Sequence, residues 1–183
     1  WDFGELGSGA FNFSNFQDPA HLYLSTGNFN VSFTVIDDFG CSDNVIKDVE
    51  VYIIPEASFT ASNVCFNEIA YFNDNSTPNN SIVNWEWDFG DGGGGLGQNT
   101  DHLYTDSNNF SVVLIIIDSN ACKDTIIKPI TIFSLPVMDF IADTLNGCVP
   151  LSVSFEKNTM NSVFWTWDYG DGNTSQGPTG ENT

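Results

Sequence analysis

The sequence predicts an all-β protein made of tandem β-sandwich repeats of about 81 residues, and three observations lead to this prediction. A Trp-Asp-aromatic-Gly segment occurs three times, at residues 1–4, 87–90 and 167–170. Apolar and polar residues alternate with a period of two through the middle of the chain, as in strands with one buried face. A helical spacing of apolar residues is absent.

The internal repeat sets the expected domain boundaries. Matching residues 81 positions apart include His21 with His102 and Cys41 with Cys122. Insertions fall between the matching blocks, as loops would. On this register the sequence predicts the C-terminal part of one repeat at 1–54, a complete repeat at 55–134 and the N-terminal part of a third at 135–183. We expect the native chain to continue in both directions.

Within the complete repeat, each apolar alternation predicts one strand with an inward face. Turns are expected at Gly90–Gly95 and Asp106–Asn109, because Gly tolerates positive φ and Asp and Asn bond to their own backbone. About seven short strands in one repeat favour a two-sheet sandwich. In chain order, the residues that indicate strands are Ala57, Phe59 and Ala61; Tyr71 and Phe72; Trp85, Trp87 and Phe89; Phe110, Val112, Leu114 and Ile116; and Ile126, Ile130 and Ile132.

The charge balance excludes several classes of partner. The chain has 24 acidic residues against 4 lysines and a formal charge of -20. Nucleic-acid binding needs clustered basic residues, so it is excluded, and anionic membrane surfaces are disfavoured for the same reason. The longest apolar run, Val112 to Ile117, is too short for a membrane span, which needs about 20 residues. A hydrophobic fraction of 41% supports a packed core.

An ordered set of motifs resembles the polycystic kidney disease (PKD) domain. The resemblance implies an immunoglobulin-like β-sandwich used as a spacer, adhesive or interaction module on secreted and surface proteins. The first copy departs from the pattern, with Glu5-Leu6-Gly7 in place of Asp-Gly. The motif residues are Trp87, Asp88, Phe89, Gly90, Asp91, Gly92, His102 and Tyr104, followed by Asn109-Phe110-Ser111-Val112 and Asp118-x-x-Ala121-Cys122, and in the third copy Trp167, Asp168, Gly170 and Asp171.

The resemblance implies a structural function, and the residues do not indicate an enzyme. His21 and His102 occupy equivalent positions with no nucleophile or orienting group tied to them, and we expect them to pack as corner residues. The first hypothesis is a segment of a long extracellular rod, filament or adhesin stalk, whose partners are neighbouring repeats, like chains or surface glycans. The alternative is an accessory carbohydrate-binding or spacer module of a secreted hydrolase. No cofactor is expected.

Acidic and Asn-rich loops make calcium the candidate metal, since hard cations bind several oxygens. The candidate ligands are Asp88 and Asp91 in their turn, Asp74 within Asn73–Asn75, and Asp101 with Asp106. Turn chemistry and a solvated acidic surface are the competing interpretations.

Four cysteines without CxxC spacing favour structural disulfides in an oxidising compartment. Two pairings stay open: Cys65 with Cys122 inside one repeat, or bridges between successive repeats, in which the partners of Cys41, Cys65, Cys122 and Cys148 all lie outside these 183 residues. An up-and-down strand count places Cys65 and Cys122 at opposite ends of the sandwich, which favours the second pairing, while an irregular first strand would restore the first.

The cysteine-bearing variant looks like the tandem arrays in large surface proteins of Bacteroidota, which implies a location outside the cell or on its surface. In that setting Thr125 and Thr144 resemble Asp-Thr-aliphatic O-glycosylation sites. Ordinary strand and loop threonines are the alternative.

Overall fold

A computed structural model describes residues 1–78, 81–160 and 162–178. Its described regular structure is β-strand apart from one 3₁₀ helix, Leu6–Asn12. This confirms the predicted all-β class. The chain divides into two compact units, and five strands of the middle repeat contribute residues to both. The first unit comprises Trp1–Thr60, Phe72–Thr100 and Val112–Lys128; the second comprises Ala61–Tyr71, Asp101–Ser111 and Pro129–Thr183.

The first, middle and third repeats denote the predicted ranges 1–54, 55–134 and 135–183. The first of these ranges contains one long hairpin. Strand β1 (Gly27–Ile36) pairs antiparallel with β2 (Ser42–Val51) over ten residue pairs without a bulge. Among the described residues, the other edge of β1 has one bridge, between Asp2 and Ser32. The Trp1 ring stacks on Phe33 with the centroids 4.3 Å apart.

The middle repeat is a two-sheet sandwich. Its five-stranded sheet has the order β4-β10-β9-β6-β7, and its three-stranded sheet has the order β3-β5-β8. The strands are β3 (Phe59–Ala61), β4 (Val64–Cys65), β5 (Ile69–Asp74), β6 (Ile82–Asp88), β7 (Gly94–Leu96), β8 (Asn99–Leu103), β9 (Asn109–Asp118) and β10 (Lys123–Phe133).

The first strand of the middle repeat is split between the two sheets, which sequence periodicity did not predict. Its first part, β3, belongs to the sheet of β5, whereas β4 pairs parallel with β10 at Val64↔Ile132 and Cys65↔Phe133. The repeat therefore has eight strands where about seven were expected. The switch closes the sandwich, because one segment provides an edge to each sheet.

The core follows the predicted alternation. Along β9, Val112, Leu114 and Ile116 are fully buried. Ile130 and Ile132 of β10 are buried beside them, while Ile126 is half-buried. Burying each such side chain stabilises the fold by roughly 1.5–3 kcal/mol before the entropy of ordering is counted.

Two predicted strand positions face differently from the core residues beside them. On β5 the inward residues are Ala70 and Phe72, and Tyr71 between them is 62% exposed. Ala61, at the end of β3, is also exposed, since the chain leaves this sheet there.

The third repeat forms two hairpins. Strand β11 (Val137–Ala142) pairs antiparallel with β12 (Phe155–Met160), and β13 (Phe164–Asp168) pairs antiparallel with β14 (Thr174–Pro178). The expected extent of this repeat, 135–183, includes residues 161 and 179–183, which lie outside the described residues.

Candidate functional site

The motif aromatics of the middle repeat form a buried cluster. The Trp87 ring lies 5.2 Å from that of Phe59 and 5.7 Å from that of Phe72, and Phe72 lies 5.0 Å from Phe89. These four side chains are at most 4% exposed. The Trp87 indole N–H donates to the Gly97 carbonyl at 2.9 Å, so its one polar atom is satisfied.

Trp85 occupies the same strand but lies at the edge of this core, half-buried. Its indole N–H donates to Asp74 Oδ2 at 2.9 Å. The other carboxylate oxygen of Asp74 accepts the Ser76 N–H at 3.0 Å. Asp74, a calcium candidate in the sequence, is therefore a hydrogen-bond acceptor that ties β5 to β6.

The two motif aspartates, Asp88 and Asp91, hold the β6–β7 turn. Oδ1 of Asp88 accepts the Gly90 N–H and Oδ1 of Asp91 accepts the Gly93 N–H, each at 2.8 Å. Gly90 has φ 80°, in the left-handed region that favours glycine. Both carboxylates thus form Asx turns.

The third repeat builds the same turn from the equivalent residues. Asp168 accepts the Gly170 N–H and Asp171 accepts the Asn173 N–H, both at 2.9 Å. Backbone and side-chain hydrogen bonds from Asn173 hold the pKa of Asp171 below its usual value, while burial acts in the opposite direction. The motif carboxylates are used in the same way in both copies.

The described residues contain no group of three or more His, Cys, Asp or Glu side chains placed to hold a metal ion. Of the calcium candidates, Asp74, Asp88 and Asp91 are each occupied by the hydrogen bonds given above. The other two candidates, Asp101 and Asp106, lie on β8 and in the following loop, where Asp106 accepts the Ser107 N–H at 2.7 Å.

The motif His and Tyr build an aromatic stack. In the middle repeat His102 meets Tyr104 edge-on at 4.6 Å, and Tyr104, 1% exposed, stacks on Phe110 at 4.5 Å. The equivalent rings of the first repeat, His21, Tyr23 and Phe29, repeat this geometry at 4.6 Å for both contacts.

In the first repeat the stack is completed by a backbone bond and a further ring. The Tyr23 hydroxyl donates to the Phe3 carbonyl at 3.2 Å, and the Phe3 ring stacks on His21 at 4.3 Å. The position is a packed corner that anchors the Trp-Asp-Phe-Gly segment.

Glu5 is the polar residue whose role the sequence did not reveal. It is 4% exposed, and one carboxylate oxygen lies 3.2 Å from His21 Nε2. The other oxygen accepts the Leu24 N–H at 3.1 Å and the Ser25 hydroxyl at 2.9 Å. Burial alone would raise the pKa of Glu5, but these bonds and His21 together lower it below its ordinary 4.5.

The departure of the first copy from the Asp-Gly pattern was the signal for this site. The first copy has five more residues between Trp1 and His21 than the middle copy has between Trp87 and His102. This longer stretch contains the 3₁₀ segment Leu6–Asn12, and the side-chain oxygen of Asn12 accepts the Glu5 N–H at 2.6 Å. The Glu5 side chain is long enough to reach His21. Asp91 and Asp171, the shorter residues at the equivalent position of the other copies, accept backbone N–H groups of their own turns instead.

The bridge between Cys65 and Cys122 is excluded. Cys65 pairs with Phe133 at the end of β10, and Cys122 precedes Lys123 at the start of that 11-residue strand. At about 3.3 Å per residue the two cysteines are ~35 Å apart, against a limit of ~7 Å between bridged Cα atoms. The one pairing considered within this chain, Cys65 with Cys122, is therefore not formed. Cys41, Cys65, Cys122 and Cys148 are all free thiols in the structure.

Cys41 and Cys122 each follow a turn of the same type, in which an aspartate carboxylate accepts the cysteine N–H. Asp118, 4% exposed, accepts the N–H groups of Asn120 at 2.9 Å and Cys122 at 2.8 Å. In the first repeat Asp37 bonds the N–H of Cys41 at 2.8 Å in the same way. The turn fixes the position of each thiol at one end of its hairpin.

The two candidate glycosylation sites differ in environment. Thr125 is exposed on β10, beside Asp124, whose carboxylate accepts the Ala57 N–H at 2.7 Å. Thr144 is half-buried, and its hydroxyl donates to the Asn146 carbonyl at 3.0 Å.

The fold and these turns define a class: an immunoglobulin-like β-sandwich whose motif residues support the fold. A family model for the PKD domain matches residues 54–132, so the chain contains a PKD domain there. Within the described ranges, no helix has the length and apolar character needed to cross a membrane.

Three solved structures are similar to parts of the chain. The PKD1 domain of Vibrio anguillarum Epp has 19% identity and a TM-score of 0.42, covering 45% of this chain and 98% of that one. The PKD1 domain of the Vibrio cholerae metalloprotease PrtV has 26% identity and a TM-score of 0.41, covering 44% and 99%. A carbohydrate-binding module of the β-sandwich superfamily has 19% identity and a TM-score of 0.43, covering 62% and 57%.

Proposed function

We propose that this chain is a segment of a long extracellular repeat protein that acts as a structural rod, filament or adhesin stalk. The observation that carries the proposal is the recurrence of the same internal contacts in equivalent positions. The Asx turn made by the aspartate of the Trp-Asp motif occurs in all three repeats, and the His-Tyr-Phe stack in the first and middle repeats. Because the repeated residues make packing contacts inside each repeat, their recurrence favours a protein that gains length by repeating one structural module.

The alternative, an accessory carbohydrate-binding module, requires exposed aromatic side chains that stack on sugar rings. In the middle repeat Trp87 and Phe89 are buried, and the indole N–H of Trp85 is already bonded to Asp74. The motif aromatics therefore favour the structural role over a sugar-binding platform.

The test is small-angle X-ray scattering together with electron micrographs of the native parent protein. A rod is expected to lengthen by roughly 30–35 Å for each repeat, the length of a ten-residue strand. Compact particles, or chains as flexible as an unstructured linker, would contradict the rod proposal. Binding of the same protein to a panel of polysaccharides tests the carbohydrate-binding alternative, which requires saturable binding.

For the cysteines, we propose bridges between successive repeats of the parent chain. Cys122 lies at the start of β10, and Cys65 lies beside its end. A neighbouring repeat at the first end would bring its equivalent of Cys65 close to Cys122, and a neighbouring repeat at the second end would bring its equivalent of Cys122 close to Cys65. Each bridge forms when two thiols lose two protons and two electrons to a disulfide oxidant of the export compartment. Such bridges would limit bending between repeats.

Peptide mapping of the unreduced native protein tests this connectivity. Crosslinks from Cys65 and Cys122 to cysteines of other repeats are expected. Alkylation of all four thiols before reduction would contradict the bridges and leave the rod proposal standing. The same maps report hexose on Thr125 and Thr144; we propose glycosylation of these sites and a Bacteroidota surface origin, and unmodified peptides would count against both.

A further inference from the structure

The loop between β11 and β12 contains the one Asn-Gly step in the sequence, Asn146-Gly147. In such a step the backbone nitrogen of the second residue can attack the side-chain amide of the asparagine before it. Glycine favours this attack, because it has no Cβ to crowd the nitrogen and reaches backbone conformations closed to other residues. Packing of the loop itself requires glycine here, since a Cβ on residue 147 would overlap the Leu151 side chain.

The backbone of this loop leaves the attacking nitrogen available. The loop is closed at its ends, where the Asp143 N–H donates to the Ser154 carbonyl at 3.0 Å and the Ser154 N–H donates to Oδ1 of Asp143 at 2.9 Å. Within it the Thr144 hydroxyl donates to the Asn146 carbonyl at 3.0 Å. The Gly147 N–H makes no hydrogen bond to any residue that the structure describes. Its nitrogen can therefore react without first losing a hydrogen bond.

The middle repeat has an asparagine at the same place in the equivalent loop. Asn63 precedes Cys65 by two residues, as Asn146 precedes Cys148. Asn146 and Asn63 are both exposed, and Asn63 belongs to a complete repeat. Exposure of this position is therefore a property of the loop and does not arise from the end of the sequence.

The residue that follows the asparagine differs between the two loops. Val64 follows Asn63 and pairs in β4 with Ile132, and its branched Cβ crowds the nitrogen that would have to attack. The Asn63 side chain is also fixed, because its oxygen accepts the Thr131 N–H at 2.8 Å. We therefore expect Asn63 to be far less reactive than Asn146.

We propose that Asn146 is a site of spontaneous modification, at which the side-chain amide becomes a carboxylate through a cyclic imide. The Gly147 nitrogen bonds to Cγ of Asn146, the bond from Cγ to the side-chain nitrogen breaks, and the N–H proton leaves with that nitrogen as ammonia. Closure of a five-membered ring between neighbouring groups makes this attack intramolecular. Water then opens the imide at either carbonyl and gives aspartate or isoaspartate.

The modification changes the loop that carries Cys148. It adds one negative charge to a chain whose formal charge is already -20. Where the product is isoaspartate, the backbone also gains one methylene group between residues 146 and 147. Both changes fall two residues before the cysteine, so the loop differs between newly made and aged protein. The reaction needs only water and does not rest on the proposed rod or on the proposed bridges.

Peptide mapping of the native parent protein and of the 183-residue chain, before and after incubation at mildly alkaline pH in ¹⁸O-labelled water, tests the proposal. At Asn146 we expect one labelled oxygen and a mixture of aspartate and isoaspartate. The reaction is expected to run at least about 10-fold faster than at Asn63, the control inside the same molecule. Asn146→Gln keeps an exposed side-chain amide but needs a larger ring, so this variant is expected to take up no label at that position.

Each contrary result overturns a separate step of the proposal. An unlabelled Asn146 in the parent protein overturns it even where the 183-residue chain reacts, because the loop of the complete repeat would then be protected. Equal rates at Asn146 and Asn63 overturn it as well, since the glycine would then not matter. Labelled aspartate without isoaspartate would show direct hydrolysis of the amide and contradict the cyclic imide.

Discussion

At the scale of single residues, aspartate does the same work at several turns of this chain. Asp2, Asp88 and Asp168 each accept the N–H of the glycine two positions later, at 2.9, 2.8 and 2.9 Å. An Asx turn needs one short acceptor and one residue free to adopt positive φ. Of the interpretations that the sequence left open for the acidic residues, turn chemistry describes these three aspartates.

Ala121 occupies a left-handed position where the first repeat has glycine. Its φ is 64°, and that of the equivalent Gly40 is 82°. Because an L side chain is strained there, we predict that Ala121→Gly stabilises the protein by about 0.5–1 kcal/mol, measured by urea unfolding. The reverse change, Gly40→Ala, is expected to destabilise by a similar amount. Equal stability of Ala121→Gly and wild type would show that the turn relaxes instead.

The Glu5–His21 pair predicts an acid-sensitive first repeat. The pKa of Glu5 is lowered in the folded state, so its ionised form contributes stability above its ordinary pKa of 4.5. That contribution is lost as the pH falls through the lower folded value. We expect the Glu5 carboxyl resonance to titrate below pH 4.5.

Glu5→Gln provides the control for this titration. It is expected to lower stability near neutral pH and to reduce the loss of stability on acidification. A Glu5 carboxyl that titrates above its ordinary value would mean that burial outweighs the bonds from Ser25, Leu24 and His21.

At the scale of elements, the β9–β10 hairpin is set by one buried carboxylate. Asp118 bonds two N–H groups of the turn, and its own N–H donates to the Cys122 carbonyl at 3.0 Å. Strand pairing alone would leave these turn amides without partners. The hairpin that carries Cys122 is thus specified by its first turn residue.

Asp118→Ala is predicted to destabilise the protein by about 2 kcal/mol, since hydrogen bonds to a charged group are lost in a buried site. Amide hydrogen exchange of Asn120 and Cys122 is expected to accelerate together with the drop in stability. Asp118→Asn keeps one acceptor oxygen and is expected to retain part of the protection. Unchanged exchange in Asp118→Ala would rule out the carboxylate as the organiser of this turn.

At the scale of the whole molecule, the same aromatic cluster exists in a covered and an uncovered form. The middle repeat buries it between two sheets, and the third repeat presents it to solvent. Apolar burial is the main source of stability, so for residues 1–183 alone we expect the third repeat to be locally less stable than the middle repeat.

Hydrogen exchange at low protein concentration measures this difference directly. Amides of β6 and β9 are predicted to exchange far more slowly than those of β11–β14, by at least about 10-fold, because a local difference of ~1.4 kcal/mol already gives that factor. The middle repeat serves as the internal control. Equal protection of the two repeats would show that the third is stabilised without its covering strands.

The sequence determined what depends on local order along the chain. The 81-residue period, the all-β class and the inward faces of β6 and β9 follow from alternation and self-similarity, because side chains on a strand point to opposite faces in turn. The Asp-Gly turns were also predicted, since their acceptor and their left-handed residue are neighbours in sequence.

The tertiary structure decided which distant segments meet. The division of the first strand into β3 and β4 depends on a parallel partner, β10, some 68 residues later at Val64↔Ile132. The bond from Trp85 to Asp74 and the burial of Glu5 against His21 likewise join segments that no periodicity connects. The alternation of apolar and polar residues indicates which face of a strand is buried. Which strands pair depends on residues far apart in the sequence and on packing of the whole sandwich.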